Sequence, residues 1–279
     1  MPRWAEVKTG SVPDFRANHR LTRNRTAPYS FRALPNNRNT NHAQPDPPRP
    51  PRRRHQAAVA RVTIKAVLFD HDGTLVDSEP THWRLWQDVL RTHGAVLTEQ
   101  HYKDYYAGMP TAANAADLAE RFAIDSTPAA LAEDKYAITR SFLSRSAFPL
   151  MPGVREVLPL FQASGLRMAI VTGAGRNGVA ATLKAHSLDG IFETIVTADD
   201  VRYSKPSPDC YLLAVANLGL EPKDCVAIED TEHGVAAAAA AGVACLAVPN
   251  EMSKHHDFSR ATQVFSDLVS AAAWVRERS

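Results

Sequence analysis

The chain is poor in cysteine. Cys210, Cys225 and Cys245 are the three it has in 279 residues, and no two of them form a Cys-x-x-Cys pair. That spacing argues against zinc knuckles and dithiol redox chemistry. The odd count in apolar surroundings suits small buried thiols in a reducing cytoplasm. Long apolar runs are also missing: none approaches the ~18 residues that would span a bilayer. No short apolar segment near the N-terminus resembles a secretory signal, so the expected location is the cytoplasm, with no membrane partner. Acid is scarce in residues 1–61, which hold 13 Lys/Arg against 3 Asp/Glu, together with nine prolines. The remainder holds 19 basic and 27 acidic residues, so the formal charge of +2 hides a basic tail on an acidic body.

Residues 1–61 have too few large apolar side chains to offset the entropy of ordering them, and are expected to be disordered. Three roles compete for this segment. It could be an organelle transit peptide, a nucleic-acid-binding arm, or upstream sequence translated from a start placed too early. Its proline density opposes the amphipathic helix of a transit peptide. Lys8 is its single lysine, which opposes a nucleic-acid arm. The segment is therefore assigned no part in the chemistry, and nucleic acid is not expected as a partner.

The texture changes at Val62. Residues 62–69 are β-rich and almost wholly apolar, as in a central parallel strand covered on both faces. After Ser78 and Pro80, which are plausible start signals, Trp83, Trp86 and Leu90 recur at helical spacing. Residues 102–109 are aromatic and end in Gly108-Met109-Pro110-Thr111, a turn with Thr111 as the expected N-cap of a second helix through Ala115, Leu118 and Phe122. Thr127-Pro128 opens a third, so residues 79–147 are predicted to form a helical module. Beyond it, helices near 154–163, 177–186, 208–218, 235–241 and 267–275 alternate with strands near 167–171, 194–196, 225–228 and 243–248. Alternation of this kind predicts an α/β fold with a doubly wound parallel sheet. The expected division is 1–61, a core of 62–78 and 148–279, and the inserted module of 79–147.

The chemistry gathers where strands end. The first stops at Asp70-x-Asp72-Gly73-Thr74, the second at Thr172-Gly173 and the fourth at Glu229-Asp230. Parallel strands put their carboxyl ends on one edge of the sheet, where ligands of such folds bind. Lys205-Pro206 lies between them in a polar loop whose prolines are expected to keep it extended. Carboxylates this close repel unless a cation sits between them, which makes the Asp70/Asp72 turn a candidate Mg²⁺ and phosphate site.

These four sites, in this order, resemble the motifs of the haloacid dehalogenase-like superfamily over residues 64–250. The helical insertion resembles the cap of the branch holding phosphoglycolate phosphatase, β-phosphoglucomutase and related sugar phosphatases. The resemblance implies that Asp70 is the nucleophile, forming an aspartyl-phosphate, and that Asp72 is the general acid and then the base. It implies Mg²⁺ held by Asp70, the Asp72 carbonyl and Asp230, with Glu229 assisting directly or through water. Thr172 and N–H groups around Gly73 and Gly173 would bind phosphoryl oxygens, and Lys205 would neutralise charge there. An acid at Asp72 favours phosphate esters over carbon–halogen bonds, because an alkoxide needs a proton to leave and a halide does not.

From the same resemblance, His82 either contacts substrate or orients that acid, the alternative being a surface histidine of the first cap helix, and Gly108 to Thr111 forms the cap's substrate loop. The mutases place an arginine three residues after the cap glycine, where this chain has Thr111. Hydrolysis of a small phosphorylated metabolite, a sugar or polyol phosphate, is thus expected. A β-phosphoglucomutase-like mutase is the alternative, and a non-catalytic metabolite sensor the remote one. His71 is expected to point away from the two aspartates, Asp77 to be structural, Trp83 and Trp86 to be core, and Lys135 to lie on a solvated helix face.

Overall fold

Ala66-Val67-Leu68-Phe69 is buried at every position and forms β1 (Ala66–Phe69) in the computed structural model, which describes residues 63–279. The disorder and the three roles weighed for residues 1–61 lie outside the described residues. β1 pairs in parallel with β2 (Arg167–Val171) on one side and β4 (Cys225–Glu229) on the other, so that Leu68 faces Ala169 and Ala227. With β3 (Thr194–Val196), β5 (Ala244–Ala247) and β6 (Gln263–Val264), the sheet runs β3-β2-β1-β4-β5-β6, all parallel.

Alternation along the strands builds two cores. Val67, Phe69, Ile170 and Ile228 pack under α5 (Val154–Ala163), α6 (Arg176–His186) and the C-terminal α9 (Leu268–Arg276). Leu68, Ala169 and Ala227 face the other way, under α7 (Asp209–Asn217) and α8 (Glu232–Ala240). Burial on both faces explains why β1 reads as an unbroken apolar run; each large side chain so buried contributes about 1.5–3 kcal/mol.

Between β1 and α5 the chain makes four helices: α1 (Glu79–Arg91), α2 (Glu99–Tyr105), α3 (Thr111–Arg121) and α4 (Pro128–Leu143). They share a separate apolar cluster that includes Trp86, Leu90, Leu97, Tyr102, Leu118 and Leu131. Trp86 is core as expected, while half-buried Trp83 also donates its indole N–H to Leu97 O at 3.0 Å. Thr127 caps α4 by accepting the Ala130 N–H.

Ser78 and Pro80 stand at the start of α1 as expected, Ser78 flanking the helix and Pro80 in its first turn. Two local expectations are corrected. Thr111 is the first residue of α3 rather than its cap, which is Pro110, a residue fixed in the right φ with no side-chain acceptor to offer. The Lys205 loop is a turn closed by the Ser207 N–H on Ser204 O at 3.0 Å, around a cis Lys205–Pro206 peptide, and not an extended strap. Strand β6 was not expected, since two exposed residues carry no readable period.

Candidate active site

Because β1, β2 and β4 are neighbours and parallel, Asp70, Thr172 and Glu229-Asp230 emerge along one sheet edge. Lys205 reaches into them from the turn between β3 and α7. Its Nζ lies 2.5 Å from Asp70 Oδ1, 2.6 Å from Glu229 Oε1 and 2.8 Å from Val171 O. Glu229 is wholly buried, and its Oε1 also accepts the Tyr211 hydroxyl at 2.5 Å. Asp70, Glu229 and Asp230 each offer an oxygen within 4.8 Å of the others.

Electrostatics follow from that crowding. Burial raises the carboxyls of Asp70 and Asp230, and their mutual repulsion with Glu229 adds to the rise at Asp230; Lys205 opposes it at Asp70. Burial also works against the Lys205 charge, but Asp70 and Glu229 outweigh it and hold the ammonium above its usual range. Ionised together, three carboxylates against one ammonium would leave two negative charges in a dry site, a repulsion that a bound cation would relieve. Asp230 Oδ1 and Glu229 Oε2 are buried with no hydrogen-bond partner among the described residues. An all-oxygen set with spare lone pairs and that charge deficit fits a hard divalent cation such as Mg²⁺.

Gly73 makes the approach possible. Its φ of +85° suits glycine, and a Cβ there would lie 2.1 Å from Asp230 Oδ2. The turn it belongs to carries Asp72 beside the cluster. His71 does not point away, as expected, but sits between Asp72 Oδ2 and Thr182 Oγ1, each at 3.1 Å. Strand alternation has stopped by this residue: the N–H groups of Leu75 and Val76 both close onto His71 O, and the ring turns under α6.

His82, from α1, brings Nε2 to 4.0 Å from Asp72 Oδ1. Burial would raise the Asp72 carboxyl, but the two histidines hold it well below the usual carboxylate range. Lys135, expected on a solvated face, is 1% exposed. The apolar rim of α4 packs on α1 there, with the ammonium 5.5 Å from the centre of the Trp86 ring and 3.1 Å from His82 Nδ1. With the lysine as donor, His82 carries its own proton on Nε2, the atom facing Asp72. Burial and the nearby Lys135 charge push His82 down to about 3, and burial pushes Lys135 down to about 8.

The remaining expected residues divide. Thr172 is buried at the head of β2, its Oγ1 accepting the Ala174 N–H at 3.0 Å, and exposed Gly173 follows it. The Gly73 N–H is committed to Val76 O at 2.7 Å, so it is not free for a ligand. The N–H groups of Asp72 and Gly173 donate to no acceptor among the described residues. Gly108 leans onto the residue after Asp230: a Cβ there would lie 2.9 Å from Thr231 Cγ2. Thr111 is half-buried at the start of α3.

Sequence reasoning missed four supporting residues. Tyr211 holds Glu229 from α7, and Asn250 donates to Asp230 Oδ2 at 2.9 Å. Gly234 leaves room for the Glu229 carboxylate, which a Cβ would meet at 2.0 Å. Glu79 accepts from the Tyr102 hydroxyl at 2.5 Å and the Gly108 N–H at 3.1 Å, and burial lifts its carboxyl to about 7. Only Gly234 left a local sign, being a helix-breaking residue five places after the acidic strand end at Glu229.

A parallel sheet with four chemistry-bearing segments on one edge and a helical insertion after the first strand is the arrangement of a hydrolase class, and most of the chain matches it. The match to haloacid dehalogenase-like hydrolases covers residues 64–242. Protein CbbY of Rhodobacter capsulatus is 33% identical over 217 residues, 75% of this chain and 96% of that one. Fructose-1-phosphate phosphatase YqaB of Escherichia coli is 38% identical over 179 residues, 63% of this chain and 92% of that one. A crystal structure of a CbbY mutant from Rhodobacter sphaeroides, in complex with xylulose-(1,5)bisphosphate, superposes with a TM-score of 0.65 at 27% identity, covering 72% of this chain and 93% of that one. The chain belongs to the haloacid dehalogenase-like hydrolase family and, within it, to the phosphoric monoester hydrolases. Among the described residues no helix is long and apolar enough to cross a membrane.

Proposed function

We propose that the chain hydrolyses the phosphate ester of a small sugar or polyol phosphate, with Mg²⁺ as cofactor and an aspartyl-phosphate on Asp70 as intermediate. The observation that carries this is the junction of Asp70, Lys205, Glu229 and Asp230, with Asp72 held one residue away by two histidines. Lys205 engages Asp70 through Oδ1, which leaves Oδ2 to attack phosphorus. Asp72, which the two histidines keep ionised in the free site, takes up a proton as substrate binds and gives it to the departing ester oxygen; it then takes a proton from the water that hydrolyses the acyl phosphate. His82 orients Asp72, and Lys135 fixes the tautomer of His82. Thr172 and the N–H groups of Asp72 and Gly173 receive the phosphoryl oxygens, with Lys205 neutralising charge as it builds in the transition state. Asp70, the Asp72 carbonyl and Asp230 would hold Mg²⁺, with Glu229 in support. When bound it lets an anionic nucleophile approach an anionic phosphate.

The helices α1–α4 act as a cap that closes over this edge and excludes bulk water, with residues 108–111 facing the substrate. A hydroxylated substrate is supported by YqaB, a fructose-1-phosphate phosphatase, and by the xylulose bisphosphate bound to CbbY. Three buried, unbonded cysteines support a reducing, cytoplasmic setting.

The test is release of p-nitrophenol from p-nitrophenyl phosphate with and without Mg²⁺, followed by a panel of fructose 1-phosphate, xylulose 1,5-bisphosphate, hexitol phosphates and β-glucose 1-phosphate. Mg²⁺-dependent phosphate release from a panel member is expected. Conversion of β-glucose 1-phosphate to glucose 6-phosphate without phosphate release would establish the mutase instead.

A further inference from the structure

Asn250 lies three residues beyond β5, and every polar atom of its side chain is committed. Its amide donates to Asp230 Oδ2 at 2.9 Å and to Gly73 O at 3.1 Å, while Oδ1 accepts the Met252 N–H at 2.8 Å. The loop that carries it is anchored twice. Asn250 N–H donates to Ser253 Oγ at 3.1 Å, and Met252 is buried in the apolar cluster of α1–α4. The amide therefore works from a fixed base, and what it grips is one oxygen of a buried carboxylate.

Asp230 is confined on the opposite side as well. A Cβ at Gly73 would fall 2.1 Å from Asp230 Oδ2 and 2.8 Å from Asn250 Nδ2, so carboxylate and amide fill the space that this glycine leaves. A carboxylate pinned through Oδ2 has lost its rotation about the last torsion, and Oδ1 is placed by that constraint. Oδ1 is the atom that is buried without a partner. An unpaired buried carboxylate oxygen is costly to keep in place, and a group that could swing would relieve the cost by turning toward a donor.

We propose that Asn250 is a positioning residue of the metal centre: it holds Asp230 by Oδ2 so that Oδ1 is presented, desolvated and oriented, to the divalent cation. This rests on the Mg²⁺ reading above. Hydrogen-bond partners of metal ligands contribute 10- to 100-fold to affinity when they orient the ligand, and Asn250 belongs with them. Its bond to Gly73 O gives it a second effect, since it locks the Asp72-Gly73 turn to Asp230.

The experiment is isothermal titration of Mg²⁺ into the metal-free full chain, in wild type, Asn250→Ala and Ser253→Ala. Ser253→Ala loosens the same loop without touching the amide. Mg²⁺ binding is expected to weaken about 10- to 100-fold in Asn250→Ala and to stay within about twofold of wild type in Ser253→Ala. Asn250→Ala binding Mg²⁺ like wild type would overturn the inference, and so would an equal loss in both variants, which would make the loop's rigidity the cause. Wild type failing to bind Mg²⁺ would sink the metal reading together with this one. If Asn250→Ala does not fold, Asn250→Ser, whose hydroxyl can cap the loop but cannot span both oxygens, is held to the same expectation.

Discussion

The Gly234→Ala substitution adds one methyl group in the first turn of α8, and helix propensity alone says it should help. Alanine in a helix interior is favoured over glycine by about 0.8–1.0 kcal/mol. The structure predicts the opposite. A Cβ at this position lies 2.0 Å from both Cδ and Oε2 of Glu229 and 2.1 Å from Oε1. The tip of a glutamate could ordinarily move aside, but this one is wholly buried and is held by Lys205 at 2.6 Å and Tyr211 at 2.5 Å. Displacing it forfeits two hydrogen bonds to a charged group, at about 1.5–3 kcal/mol each. Less the gain in propensity, the variant should lose about 2–5 kcal/mol. In a domain of 150–250 residues that lowers Tm by about 4–20 °C. Thermal unfolding followed by circular dichroism reads this directly, and turnover of p-nitrophenyl phosphate should fall in parallel. A melting temperature equal to or above wild type would refute the reasoning, because propensity would then have outweighed the clash.

Lys205→Met leaves Asp70 and Glu229 facing each other without their ammonium; removing one partner from such a buried group costs about 3–5 kcal/mol. Its Tm in metal-free buffer should drop and turnover should vanish, and an unchanged Tm would count against the pairing. Glu79 titrates from 4.5 in the ordinary case to about 7 here, so between those pH values the folded state keeps a proton that the unfolded state has released. Its contribution to stability is therefore full below pH 4.5 and lost as pH rises through 7, a span of about 3 kcal/mol. Glu79→Gln should lack that slope in urea denaturation, and parallel stability curves for variant and wild type would contradict it. His82→Ala should lower kcat about 10- to 100-fold with KM little changed, because it orients the acid rather than gripping substrate. A change confined to KM would assign His82 to substrate instead.

The order of elements was legible because each carries its own period. β1 is an unbroken apolar run, α1 repeats Trp83, Trp86 and Leu90, and α8 ends in a run of five alanines. Asp70, Thr172, Lys205 and the Glu229-Asp230 pair could be found because strand ends carry local markers and parallel strands share an edge. What escaped depends on contacts distant in sequence. Asn250 meets Gly73 across 177 residues, and Lys135 meets His82 across 53, so no local window links either pair. His71 was misplaced by carrying strand alternation past its end. Lys135 was misplaced because a lysine on a mixed helix face is exposed in most settings, and only the packing of α4 on Trp86 reverses that.

The central claim is that Asp70 becomes covalently phosphorylated during turnover. Acid quench of the enzyme with Mg²⁺ and a turning-over phosphate ester, followed by peptide mass spectrometry, measures it most directly. A phosphoryl group on the peptide bearing Asp70, absent from Asp70→Asn along with all turnover, is the predicted result. Near-normal turnover by Asp70→Asn, or a phosphoryl group on another residue, would contradict it.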